Sequence, residues 1–280
     1  MTLATDTRLI TAGEAKAFVP PLEHFAGNNK IKTLLSNWTK RPISQDSNVL
    51  ITGDPGTGKT SLAIAYLRHQ FGNPWFFLED LDPQRESSRS RDGISRSLDE
   101  IREWQIGPYG RIYFKQINGS ADSAALVRSK LQDLMYSIDA DHRVLFVDEL
   151  GELFFNGLDE TLRPVLTEPG ISVIATAQNF HSKRKTDSST EEDQRLSALL
   201  RRFTYRIDTE LPTEREQMTF LAYLFREWQL KVDHPDTISL LVHKSRGIVA
   251  FSQRILIRAI DEPGRRLTYK MVEEADVNPR

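Results

Sequence analysis

Residues 53 to 60 read Gly-Asp-Pro-Gly-Thr-Gly-Lys-Thr, set between the apolar run Val49-Leu50-Ile51 and the helix-like stretch Ser61-Leu62-Ala63-Ile64-Ala65-Tyr66-Leu67. Strand, glycine-rich loop and helix in that order is the setting that phosphate binding requires, and it commits this part of the chain to an α/β arrangement. Gly53, Gly56 and Gly58 let the backbone curl around Asp54, Pro55 and Thr57 so that successive N–H groups, through to Ser61, face phosphate oxygens. Lys59 would reach the outer phosphates and the Thr60 hydroxyl would sit on Mg²⁺. The competing reading is a glycine-rich turn with an exposed lysine.

At 280 residues the chain is long enough for one large or two modest domains with a proper core. A net charge of −2 gives no global attraction to nucleic acid or anionic membranes, so any such contact must come from local basic clusters. The absence of cysteine excludes disulfides, thiolate catalysis and Cys-ligated metal. No basic region followed by an apolar core opens the chain, and no run of about 18 apolar residues occurs, so a cytoplasmic protein without membrane contact is expected.

Strands alternate with helices through the first two thirds of the sequence. Strand candidates lie at 49–51, 75–78, 111–117, 144–147 and 171–175, with a last one after Arg202-Phe203. Helical apolar spacing runs over 22–38, 122–138 and 158–166, and a shorter helix is expected over 94–104. This alternation predicts a parallel sheet with helices on both faces. After Pro212 the strands stop, and 218–228, 235–243 and 251–260 carry helical spacing, which predicts a small all-helical second domain. The expected division is a loosely ordered N-terminal arm at 1–19, an α/β domain at 20–211 and a helical domain at 212–280.

The strand Val144-Leu145-Phe146-Val147 ends in Asp148-Glu149. Asp148 can hold Mg²⁺ through water and Glu149 can polarise a water attacking a γ-phosphate, although an acid pair also caps helices. The strand ending Val173-Ile174-Ala175 runs into Thr176-Ala177-Gln178-Asn179, which places polar groups where ligands sit in open α/β sheets. Gln178 is the first choice for sensing the γ-phosphate or orienting water, with Thr176 and Asn179 as alternatives. Arg201 and Arg202 close a helical segment, and either would serve as a planar cation for the transferring phosphoryl group of a neighbouring subunit. Paired arginines at a helix end are otherwise favourable partners of the helix dipole. Two basic loops, one with Arg85, Arg89, Arg91 and Arg96 and the other His181-Ser182-Lys183-Arg184-Lys185, are candidates for DNA phosphate contact or plain solvated loops.

With these pieces in order the chain resembles an AAA+ ATPase of the clamp-loader and Holliday-junction branch-migration branch, over residues 20 to 275. The specific parts are Leu22-Glu23-His24-Phe25-Ala26-Gly27-Asn28-Asn29-Lys30-Ile31, similar to that branch's adenine-side box, the Asp148-Glu149 pair, Arg201-Arg202-Phe203, and the lid stretch from Ser245 to Arg254. The resemblance implies an α/β P-loop core with a helical lid, ATP and Mg²⁺ as cofactors, Phe25 on the adenine side, and a ring or spiral homo-oligomer whose neighbour completes each site. The chain departs from the family at the position three residues after Gly247, which is Ala250 where an arginine is usual, so Arg246 or Arg254 substitutes or the lid couples weakly. Ending at Arg280, it is expected to lack both the clamp-loader collar and the winged-helix domain of branch-migration motors.

An ATPase core plus lid is similar in layout to DNA-transposition regulators and helicase loaders. The expected function is therefore an ATPase whose nucleotide state controls assembly on double-stranded DNA and recruitment of a partner protein. The alternatives are a protein-remodelling ATPase, with Tyr109 in Gly107-Pro108-Tyr109-Gly110 as a pore-loop candidate, and a nucleotide-gated scaffold.

Overall fold

The computed structural model describes residues 9–16, 18–38, 48–71, 106–107, 110–136, 142–178 and 190–275. The strand expected at 75–78 and the helix at 94–104 lie outside them. The chain divides into two compact units, one of residues 30–55 and 59–209, the other of residues 1–29, 56–58 and 210–280.

Among the described residues the first unit is built on a sheet of six strands in the order β2-β3-β4-β5-β1-β6. These are β1 (Val49–Gly53), β2 (Ile106–Gly107), β3 (Gly110–Asn118), β4 (His142–Asp148), β5 (Ile171–Gln178) and β6 (Tyr205–Thr209). β3, β4, β5, β1 and β6 run parallel, and the two-residue β2 pairs antiparallel to the start of β3. Every residue of β1 is buried, as are Val144 to Val147 of β4 and all of β5 but its last residue. Unbroken apolar runs, rather than alternation, mark strands covered on both faces. The cover comes from α3 (Lys59–Phe71), α4 (Ala124–Tyr136), α5 (Leu150–Phe155), α6 (Asp159–Thr167) and α7 (Thr190–Leu200), with α2 (Asn29–Trp38) ahead of them in the chain. Val127, Leu131 and Leu134 of α4 pack with Leu145, Leu153, Leu162 and Phe203 in one core, as their helical spacing predicts.

Asn48, at the foot of β1, is buried and ties three segments together. Its Nδ2 donates to Leu166 O at 2.9 Å and to Arg202 O at 3.1 Å, while its Oδ1 accepts from Val173 N–H at 3.2 Å.

The second unit is largely helical, with α1 (Ala12–Lys16), α8 (Glu214–Glu227), α9 (Pro235–Ser245), α10 (Val249–Asp261) and α11 (Tyr269–Glu273) around Trp228, Phe220, Leu224, Leu241 and Leu256. α8 opens on a capping box in which Thr213 N–H donates to Glu216 Oε2 at 2.9 Å and Glu216 N–H to Thr213 Oγ1 at 3.3 Å. Strands do not stop altogether after Pro212: β7 (Lys231–Val232) and β8 (Arg266–Leu267) form a small parallel pair.

Two expectations for the N-terminal region need correction. The stretch read as an arm includes the helix α1, whose Ala15 is buried and which Phe18 follows with its ring edge-on to Trp228 at 5.6 Å. The helix expected over 22–38 is broken, because only Leu22–His24 forms a 3₁₀ turn before α2 begins at Asn29. Between them Gly27 and Asn28 take positive φ, of 67° and 53°. Asn28 holds that turn by donating to Glu210 O at 3.2 Å and accepting Glu210 N–H at 3.0 Å, a long-range contact that helical spacing cannot reveal.

Asn48→Ala leaves two carbonyls and one N–H without their side-chain partner, and is expected to destabilise the protein by roughly 2 to 4 kcal/mol. Urea unfolding of the variant against wild type measures this directly.

Candidate functional site

The C-terminal edge of the sheet collects the polar residues. Gly53 ends β1 opposite Gln178 on one side and Thr209 on the other, and Asp148 ends β4 opposite Asn118. Val147 pairs with Ala175, so Thr176 comes next beside Asp148. Open α/β sheets bind ligands at this edge.

The loop leaving β1 has the conformation its glycines permit, with φ of 85° at Gly56 and 82° at Gly58. A Cβ on Gly58 would stand 2.8 Å from Cζ of Phe25, which is itself buried. Within the loop Asp54, Pro55 and Gly56 are exposed, Thr57 is buried, and Lys59, Thr60 and Ser61 are half-buried at the start of α3. Lys59 Nζ donates to Asp54 O at 2.8 Å. Partial burial lowers the pKa of Lys59, and the carboxylates of Asp148, Asp54 and Glu149 oppose that shift.

Around Asp148 the side chains form one connected network. Its Oδ1 accepts from Thr60 Oγ1 at 2.9 Å and also from Thr176 Oγ1, and Thr176 Oγ1 in turn accepts Glu149 N–H at 3.2 Å. Glu149 is the N-cap residue of α5, yet its side chain makes no capping hydrogen bond there, which removes helix capping as its explanation. It stands in the left-handed region at φ 58° and ψ 50°, a conformation that costs a residue with a side chain about 1 to 3 kcal/mol. Strain of this size persists where neighbouring structure enforces it, and it concentrates at functional sites.

Chemically, a hydroxyl and a carboxylate oxygen 2.9 Å apart fit Mg²⁺, a hard cation that takes oxygen ligands and keeps several waters. Loop N–H groups and a lysine fit the phosphates that accompany it. A second carboxylate beside them, on a constrained backbone, fits a general base.

Thr176 stands inside this network, whereas Gln178, the first choice from the sequence, is the exposed last residue of β5. The signal for Thr176 was a buried hydroxyl near the C-terminal end of the run from Ile171 to Ala177, where the other hydroxyl, Ser172, lies at the far end of the strand, since buried hydroxyls need partners. Arg201 and Arg202 follow α7 directly and differ in setting. The Arg201 side chain is exposed; Arg202 is half-buried, with its Nε enclosed and its carbonyl held by Asn48. In the helical unit Arg246 ends α9 at φ 48°, and Ala250 and Arg254 lie exposed on α10. Asn179, Tyr109, the loop with Arg85, Arg89, Arg91 and Arg96, and the loop from His181 to Lys185 lie outside the described residues.

No protein-family model and no curated protein matches the chain. Solved structures do match. The Holliday junction branch migration motor RuvB of Thermotoga maritima is similar with a TM-score of 0.57 over 91% of this chain and 71% of its own, at 19% identity. Two single-substitution variants of that protein give TM-scores of 0.55 and 0.56 at 16% and 15% identity, over 91% and 92% of this chain and 71% and 72% of theirs. The likeness shows the fold expected from the sequence, a parallel P-loop sheet with helices on both faces followed by a helical region.

Gly58→Ala sets a methyl group against Phe25 at a φ that favours glycine. Its affinity for a fluorescent ATP analogue is expected to fall about tenfold or more, with far-UV circular dichroism unchanged. Equilibrium titration of variant and wild type checks it.

Proposed function

We propose that this chain, sharing its fold with a Holliday-junction branch-migration motor, is a magnesium-dependent ATP hydrolase working as a homo-oligomer. Its ATP state controls assembly on double-stranded DNA and recruitment of a partner protein. The observation that carries the ATPase reading is the network joining Thr60, Asp148, Thr176 and the backbone of Glu149 at the end of the phosphate loop.

In this reading Gly53 to Ser61 cradle the phosphates through backbone N–H groups, and Lys59 leaves Asp54 O for the β- and γ-phosphates. Thr60 and Asp148 hold Mg²⁺, which when bound neutralises charge on the phosphate oxygens. Glu149 takes a proton from the attacking water as its oxygen bonds to the γ-phosphorus. The bond to the β–γ bridging oxygen breaks, and ADP and phosphate depart. Thr176 orients Asp148 and the Glu149 peptide, with Gln178 at the strand end as the second candidate for sensing the γ-phosphate. Phe25 is assigned to the adenine side, and Arg254, or Arg246, takes the role usually filled at Ala250. Residues 20–211 are the ATPase domain and 212–280 the lid. The protein is assigned to the cytoplasm, as expected from a sequence that opens on no basic region followed by an apolar core; among the described residues no helix is long and apolar enough to cross a membrane.

Of the two arginines after α7, exposed Arg201 is assigned as the finger offered to a neighbouring subunit, and half-buried Arg202 as part of its footing. The DNA half of the reading is supported by the fold neighbour's being a Holliday-junction motor and by the basic side chains of Arg85, Arg89, Arg91, Arg96, Lys183, Arg184 and Lys185.

Arg201→Ala is expected to keep ATP affinity while losing turnover, by up to about 10³- to 10⁵-fold. Arg202→Ala is expected instead to lower the melting temperature. Phosphate release, nucleotide titration and thermal unfolding separate the two roles. For the DNA half, turnover and light scattering with and without double-stranded DNA should show faster hydrolysis and ATP-dependent growth in particle size. Robust hydrolysis indifferent to DNA would instead favour remodelling of a protein complex.

A further inference from the structure

The turn after β3 reaches the strained residue from the side opposite Thr176. Asn118 ends β3 in register with Asp148, and the next residue, Gly119, donates its N–H to Asp148 O at 2.8 Å. A Cβ on Gly119 would fall 2.3 Å from Glu149 O, 3.2 Å from Glu149 C and 3.3 Å from Asp148 O. Those are backbone atoms, which cannot rotate out of the way as a side-chain tip can. Gly119 is not among the glycines at positive φ, so what the position demands is the absence of a side chain rather than glycine's backbone freedom.

The turn is locked by its own hydrogen bonds. Asn118 Oδ1 accepts from Ser120 N–H at 3.0 Å and from Ala121 N–H at 3.3 Å. Asp122 Oδ2 accepts from Asn118 N–H at 2.9 Å and from Lys130 Nζ, on α4, at 2.9 Å. Between this turn and the Thr176 hydroxyl that accepts its N–H at 3.2 Å, the Glu149 peptide has little room to relax toward an ordinary φ.

We infer that Gly119 is a positioning residue for Glu149: its bare α-carbon, on a turn held by Asp122 and Lys130, fixes the left-handed backbone that aims the Glu149 carboxylate. The inference deepens the ATPase reading and rests on it. A side chain at 119 pushes the Asp148-Glu149 backbone away, and a displacement near 1 Å at a reacting group can cost about 10²-fold in rate.

Gly119→Ala in the full chain is expected to lower kcat for ATP hydrolysis by about 10- to 100-fold, with KM and the affinity for a fluorescent ATP analogue within about threefold of wild type. Because the effect acts through one carboxylate, adding Gly119→Ala to Glu149→Gln should leave the single-turnover rate of that variant unchanged. Asp122→Ala, which loosens the turn without adding a side chain, should reproduce a smaller kcat loss of the same kind, and it decides the matter should Gly119→Ala fail to fold. The inference is overturned by a wild-type kcat in whichever of these variants folds, by nucleotide affinity falling in step with kcat, or by an undiminished further loss on the Glu149→Gln background. A wild-type chain that hydrolyses no ATP would overturn the ATPase reading itself, a result distinct from each of these.

Discussion

Asp148 Oδ1 accepts hydrogen bonds from two hydroxyls, of Thr60 and Thr176, that stand 88 and 28 residues away in the chain. Those groups converge only because β1, β4 and β5 are parallel neighbours ending at the same edge. A slip of one residue in β4 would turn Asp148 to the other face of the sheet, away from the Thr60 and Thr176 hydroxyls. The buried runs of the three strands therefore do two jobs at once, supplying the hydrophobic drive for the unit and setting the register on which the site depends. Asn48 extends the same logic to the opposite end of β1, where one buried amide joins β5, α6 and the turn carrying Arg201 and Arg202.

Local pattern was legible where the physics is local. The phosphate loop declares itself through glycines at fixed spacing, and the acid pair through an apolar strand that ends in charge. The sheet strands expected at 49–51, 111–117, 144–147 and 171–175 are all present, each extended by a few residues. What stayed hidden depends on tertiary contact. The choice of Thr176 over Gln178 for the Asp148 network follows from which strands are neighbours, and no single strand's composition carries that. The left-handed backbone of Glu149 is met by Gly119 from the turn after β3 and by Thr176 from β5, so the dipeptide Asp148-Glu149 alone could not reveal it. The break between the 3₁₀ turn and α2 is held by Glu210, about 180 residues on, while the apolar spacing of Ile31, Leu34 and Leu35 reads as helix.

Among the described residues of the α/β unit, Glu149 is the one non-glycine residue at positive φ, and the site is organised around it. Backbone strain at Glu149 is tolerable because its neighbours are fixed by cores and hydrogen bonds of their own. The same division appears after α7, where the buried Asn48 holds the backbone carbonyl of Arg202 beside the exposed Arg201. Rigid support beneath a few exposed or strained groups is what preorganised catalysis requires, since charge stabilisation is most effective when no rearrangement is needed at the moment of reaction.

Release of inorganic phosphate from ATP by the purified protein, with Mg²⁺ and after its removal by a chelator, at protein concentrations that permit self-association, tests the central claim most directly. The account predicts sustained release that stops on chelation and returns when Mg²⁺ is restored. Tight ATP binding with no phosphate release in either condition, with or without DNA, would contradict it and leave a nucleotide-gated scaffold in its place.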